Sequence, residues 1–336
     1  MNDSEECLSP REQDLLVRLS DPDAGVASIE VPEAMRERLL DAADRHSVLA
    51  IVWRKLRGQA LADAPAPVDE SAFDTISQRM FLAAGQSLLL KHQGAEIAAA
   101  FAAAGVRSTI VKGAVFARRI YRVPADRPFT DVDFLVDTQQ VGQANEVLAS
   151  RGLICDRKPV WDNSERYQEF KWTHPDNVSL LFEVHGNLVH YPLLRRRLSF
   201  GYRELHDISE GDVESPAALL ATAIVHGIAG HKFHSLRLVL DVLQAARAIP
   251  ESTEDSLFAG FRRLRMSFDA GVALDLAGRI YGDRRVLELA ARLGGKRRSL
   301  TRAVLTPGSV LDAPYSRNGA SRLRRHAFRA MQWMAR

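Results

Sequence analysis

Residues 109–136 read Thr-Ile-Val-Lys-Gly-Ala-Val-Phe-Ala-Arg-Arg-Ile-Tyr-Arg-Val-Pro-Ala-Asp-Arg-Pro-Phe-Thr-Asp-Val-Asp-Phe-Leu-Val. The end of this stretch decides the fold. From Asp131 to Val136 the residues alternate, and in a strand residues two apart share a face. Val132, Phe134 and Val136 can therefore face a core while Asp131 and Asp133 stand side by side with Leu135 on the opposite face. The strand rise sets the two carboxylates roughly 7 Å apart. At an effective dielectric near 20 their repulsion is about 2 kcal/mol, and surface water reduces it further. In a cleft such a pair needs a cation.

A third carboxylate follows about fifty residues later. Leu180-Leu181-Phe182-Glu183-Val184-His185 is a second strand-like run, with Leu181, Glu183 and His185 on one face. An acid inside an apolar run is unusual, because an unpaired buried carboxylate is costly. If the two strands are neighbours, Asp131, Asp133 and Glu183 form one anionic patch. Such a patch suits two metal ions that clamp the attacking and leaving oxygens of an in-line phosphoryl transfer.

Ile110-Val111-Lys112-Gly113, Arg127, Asp131-Val132-Asp133-Phe134-Leu135-Val136 and Phe182-Glu183-Val184-His185 together resemble the polymerase-β-type nucleotidyltransferase superfamily. More closely than the wider superfamily, they resemble its uncharacterised bacterial family, which carries Lys-Gly where Gly-Ser is usual. The resemblance covers roughly residues 80–245. It implies Asp131, Asp133 and Glu183 as catalytic residues holding two Mg²⁺ ions, with an NTP as substrate and Glu183 able to take the acceptor's proton. It further implies Lys112, Gly113, Arg127, His185, His226, Arg237 and Asp241 as nucleotide-binding residues. Ala114 departs from the wider pattern, since no serine hydroxyl follows Gly113.

Composition narrows the class. At 336 residues the chain can hold two or three compact units, and 46% apolar with 26% charged residues is ordinary for a globular protein. No apolar run reaches the ~18 residues of a membrane span, and no basic, apolar leader opens the chain. Cys7 and Cys155 lack metal-ligand spacing, so a reducing cytoplasm is the expected location. The net charge of +3 is too small to imply nucleic acid, yet residues 296–336 carry ten Lys/Arg and the single acid Asp312.

The rest of the chain reads as an α+β protein: a small mixed-sheet nucleotidyltransferase core at 105–212, flanked by helical regions at 1–104 and 213–336. Residues 10–20 and 32–57 have helical periodicity, with Pro32 placed as a first-turn proline. Ala64-Pro65-Ala66-Pro67 is a stiff linker. Residues 71–104 form one helix, or two broken near Gly85 or Gly94. Val106–Val111 is a strand, Ala114–Tyr121 a helix, and Gln139–Arg151 another. A hairpin turns at His174-Pro175-Asp176-Asn177.

Ser215-Pro216 opens the C-terminal helices. There, His226, His231, His234, Arg237 and Asp241 lie in one segment. His231 and His234 are spaced for one helix face, but without His-Glu-x-x-His a zinc peptidase has no support. Arg237 and Asp241, four apart, could form an intrahelical ion pair or line the nucleotide cleft. Gly294-Gly295-Lys296 lacks phosphate-loop spacing. Thr306–Ala320 reads as a loop and Ser321–Arg336 as a basic helix that packs on the body or meets an acidic partner, RNA or a membrane surface.

The expected activity is Mg²⁺-dependent transfer of a nucleoside monophosphate from an NTP to a hydroxyl-bearing acceptor, releasing pyrophosphate. Two alternatives remain open at this point. One is a non-catalytic nucleotide- or partner-binding module, favoured by Ala114. The other is a toxin-like enzyme that modifies tRNA or protein, favoured only by the basic tail.

Overall fold

The structure is a computed structural model describing residues 8–25, 29–62, 70–156, 169–293, 298–314 and 319–334, with backbone alone at 59–62, 70–74, 229–231, 298–299 and 319–325. The 64–67 linker and the 294–296 glycines lie outside the described residues. Three helices come first: α1 (Pro10–Ser20), α2 (Glu33–Arg45) and α3 (Leu49–Ala62). Ser9 caps α1 by accepting from the Glu12 amide, and Glu12 returns a carboxylate to the Ser9 amide, so both orphan donors are satisfied. Pro32 is the residue before α2 rather than inside it, and the helical periodicity of 32–57 belongs to two helices, α2 and α3.

Helix α4 (Glu70–Ala103) runs 34 residues without a break. Gly94 does not interrupt it; the helix uses that glycine to press onto the sheet, where an added Cβ would lie 3.1 Å from Val132 Cγ1. The chain then alternates through β1 (Ser108–Val111), α5 (Gly113–Arg119), β2 (Asp131–Val136), α6 (Val141–Ser150), β3 (Ile154–Asp156), β4 (Glu169–His174) and β5 (Asn177–His185). The sheet order is β1-β2-β5-β4-β3, with β2 and β5 parallel and every other pair antiparallel.

Helices complete the chain: α7 (Pro192–Arg195), α8 (Tyr202–Ser209), α9 (Pro216–Val225), α10 (Leu236–Arg247), α11 (Glu254–Arg263), α12 (Ser267–Tyr281), α13 (Arg284–Leu293), α14 (Arg298–Val304), α15 (Pro307–Leu311) and α16 (Gly319–Met334). The protein is thus an α+β fold whose mixed sheet is flanked by helices, as the pattern predicts. Ser215 caps α9 through the Ala218 amide. A π-helical turn, His226–His231, separates α9 from α10 and ends with Lys232 and Phe233 at positive φ. His231 and His234 therefore do not share one continuous helix face. The expected loop at 306–320 contains α15, started by Thr306 and Pro307.

Strand alternation splits the core in two. Val132, Phe134, Val136, Phe182 and Val184 pack against α4 and α6, with Phe101 edge-on to Phe134 at 5.2 Å. Leu135 and Val111 belong to a second, larger cluster that joins α1–α3 to α9, α10 and α12. The acidic face of β2 consequently looks away from α4.

Candidate active site

Because β2 and β5 are parallel neighbours, Asp133 sits directly opposite Glu183, Asp131 opposite Leu181 and Leu135 opposite His185. Asp131, Asp133, Glu183 and His185 therefore share one face of two adjacent strands. Asp133 and Glu183 are buried, His185 fully so, and Asp131 is partly exposed. Ligand atoms of Asp133, Glu183 and His185 all lie within 4.8 Å of one another; neither Asp131 nor His226 belongs to that tightest group among the described residues.

The carboxylates are not alone. Lys112 Nζ donates to Asp133 Oδ1 at 2.7 Å. His185 Nε2 lies 2.9 Å from the same oxygen and 3.2 Å from Glu183 Oε2. Lys171 on β4 pairs with Glu183 and stands 3.7 Å from Glu169. Burial pushes the Asp133 carboxyl up, but Lys112 and His185 outweigh it and hold Asp133 below the usual carboxylate range. Glu183 is likewise raised by burial yet held down to about 2 by His185 and Lys171. Burial and Lys112 push the His185 imidazole down; Asp133 and Glu183 win and raise it to about 9.

Asp131 behaves differently. No hydrogen bond or ion pair holds it among the described residues, and burial followed by the charges of Asp133 and Glu183 raises it to about 6. No described residue engages its oxygens, and it shares the strand face with Asp133 and Glu183, carboxylates being the ligand type that Mg²⁺ or Mn²⁺ favours. The residues present fit a divalent ion.

The turn before α5 is shaped by two residues. Lys112 adopts φ 57°, ψ −131°, a region that costs a side-chain-bearing residue about 1–3 kcal/mol. Gly113 is forced by proximity: a Cβ there would lie 3.1 Å from Phe129 Cβ and 3.5 Å from the Asp131 carbonyl. The turn thus packs directly on the start of β2.

Arg127 does not reach the carboxylates of β2. Its guanidinium is buried and binds both oxygens of Asp241, at 2.8 and 2.9 Å, and Tyr121 donates to Asp241 Oδ1 at 2.8 Å. Asp241 is thereby committed to Arg127 and Tyr121 in addition to any contact with Arg237. The Arg237 Nε is buried and has no hydrogen-bond partner. Repulsion from Arg127, then burial, lowers its pKa, while Asp131 lies close enough to act in the opposite sense. His226 is buried at the start of the π-helical turn.

Two participants escaped the sequence reading, Tyr121 and Lys171. Tyr121 gives no local signal, because its partner is 120 residues away. Lys171 was hidden by an irregularity between Thr173 and His174. Counting outward from His174 opposite Asn177 sets Lys171 against Leu180; the shift sets it against Glu183.

No curated protein and no solved structure matches the chain. No helix among the described residues is long and apolar enough to cross a membrane. A family model described as "uncharacterised nucleotidyltransferase" matches residues 32–282, a span that contains every residue of the cluster described above. Matched over most of its length, the chain belongs to the uncharacterised nucleotidyltransferase family, and its general chemistry is nucleotidyl transfer.

Proposed function

We propose that the protein transfers a nucleoside monophosphate from an NTP to a hydroxyl-bearing acceptor, with Asp131, Asp133 and Glu183 at the reacting centre. The observation that carries this reading is the convergence of the three carboxylates on one face of two parallel strands, beside the unpartnered Nε of Arg237. In the reaction the acceptor oxygen attacks the α-phosphorus and forms a new O–P bond. The bond from that phosphorus to the β-phosphate oxygen breaks, and pyrophosphate leaves with the electron pair. Divalent metal held by Asp131, Asp133 and Glu183 would supply neutralising charge for the phosphate oxygens.

The chain's own residues do the positioning. Asp131, the one carboxylate of the three without a partner among the described residues, receives the acceptor's proton. Glu183, engaged by His185 and Lys171, is poorly suited to that step and serves to hold charge. Arg237 offers its guanidinium to the triphosphate, because Arg127 is already bound bidentately to Asp241. Helix α5 is only seven residues long, so Lys112 and Gly113 contribute mainly by fixing the turn against Phe129.

The test is pyrophosphate release from each of the four NTPs, with Mg²⁺ and with Mn²⁺, alongside self-labelling from α-labelled NTPs. Release or labelling that disappears in Asp131→Asn and Asp133→Asn is the expected outcome. Binding of an NTP without either signal, with the protein itself as acceptor and with added RNA or small polyols, would point instead to a nucleotide-binding module.

A further inference from the structure

The two-ion arrangement implied by three clustered carboxylates meets an obstacle at Asp133. A carboxylate oxygen offers two acceptor positions. Asp133 Oδ1 already receives Lys112 Nζ at 2.7 Å and His185 Nε2 at 2.9 Å. Only the other oxygen remains for a metal, so Asp133 can serve one ion and not bridge two while these contacts last.

Lys112 is also built into place rather than reaching in from the surface. Its side chain is buried, and its backbone takes a positive-φ conformation that glycine would hold without strain. A buried ammonium is retained only when paired, and a strained lysine only when its side chain is needed there. Both costs are accepted at a single position, and the product is a fixed positive charge against the central carboxylate. Two divalent ions in such a centre stand ~4 Å apart, which leaves no room for a third cation on the same carboxylate oxygen.

Building on the reading of the carboxylates as a divalent-ion site, we propose that the Lys112 ammonium is a resident cation occupying one of the two cation positions of this centre. The site then takes one divalent ion together with its nucleotide, not two. Lys112 is the tethered counterpart of the missing ion: it neutralises Asp133 permanently and cannot be removed by chelation.

Counting bound Mn²⁺ on the full chain by electron paramagnetic resonance decides the matter. The measurement uses Mn²⁺ alone and Mn²⁺ with each of the four α,β-methylene nucleoside triphosphates, which cannot release pyrophosphate. Wild type is expected to bind one Mn²⁺ per chain in the nucleotide complex. Lys112→Met, which keeps the stem and removes the charge, is expected to bind two, with the first bound about tenfold more tightly once the neighbouring positive charge is gone. Lys112→Gly repeats the experiment with the backbone strain relieved, so one folded variant is secured. Two ions in wild type overturn the proposal and leave the carboxylate site standing. One ion in wild type and still one in both variants overturns it too, since Lys112 would then be only a structural partner. No Mn²⁺ in wild type under any condition overturns the proposal together with the reading on which it rests.

Discussion

Arg127 and Asp241, 114 residues apart in sequence, share a bidentate ion pair with both side chains almost wholly buried. The pair ties the loop that leads into the acidic strand to helix α10, and Tyr121 adds a third bond to the same carboxylate. Removing one partner leaves the other charge buried and uncompensated, at a cost of about 3–5 kcal/mol. Arg127→Met and Asp241→Leu should each lower stability in urea denaturation by that amount. The double variant should lose clearly less than the sum. Single losses under about 1 kcal/mol would show that the pair does not hold these elements together.

Asp131 and Asp133, two residues apart on one strand face, should respond oppositely to neutralisation in metal-free buffer. Asp133→Asn strips Lys112 of the carboxylate that accepts its hydrogen bond and should destabilise by about 3–5 kcal/mol at pH 7. Asp131→Asn removes an unpaired, repelled charge and should leave the melting temperature unchanged or raised. Thermal melts in EDTA separate the two.

The same contrast has a pH signature. Asp131 is raised from 3.8 to about 6, so between those values the folded state binds more protons than the unfolded one. Stability therefore falls as pH rises through that window, by on the order of 2–3 kcal/mol, and the penalty is complete above about pH 6. The gain from Asp131→Asn should appear at pH 7–8 and vanish near pH 4. Glu183, lowered from 4.5 to about 2, contributes in the opposite sense: its stabilisation is present above about pH 4.5 and is lost as pH falls towards 2. An Asp131→Asn gain that persists undiminished at pH 4 contradicts this assignment.

Gly113→Ala should cost about 1–3 kcal/mol, because the new methyl meets Phe129 Cβ and Cγ at 3.1 and 3.2 Å. Phe129 lies two residues before Asp131, so the displacement should also weaken Mn²⁺ binding. Unchanged melting and unchanged Mn²⁺ affinity would mean that the turn has slack.

The basic C-terminal helix α16 packs onto the body through Phe328 and Met331, both buried, and Gln332 donates to Asp269 at 2.8 Å. Phe328→Ala should cost about 3–5 kcal/mol. Trp333 is half exposed with Arg197 stacked on its ring at 4.3 Å, and Trp333→Ala should cost about 1 kcal/mol or less. Equal losses from the two would reverse the assignment of buried and exposed faces.

The amino-acid sequence by itself determined the secondary structure around the site and the pairing of faces on each strand. Alternation at 131–136 and 180–185 places Asp131, Asp133, Glu183 and His185 on polar faces, because a period of two is a local property of extended backbone. Ser215-Pro216 and the His174–Asn177 turn were legible for the same reason: caps and turns satisfy hydrogen bonds within a few residues. What only the tertiary structure decided were the partners of the charges. That β2 and β5 are parallel neighbours sets Asp133 opposite Glu183. A register irregularity brings Lys171 to Glu183, and the packing of α10 on the core takes Arg127 away from the acidic strand and gives it to Asp241. Charge pairing is a property of distance in space, and in this chain the deciding distances span 12 to 114 residues of sequence. No local pattern encodes which cation will reach which carboxylate.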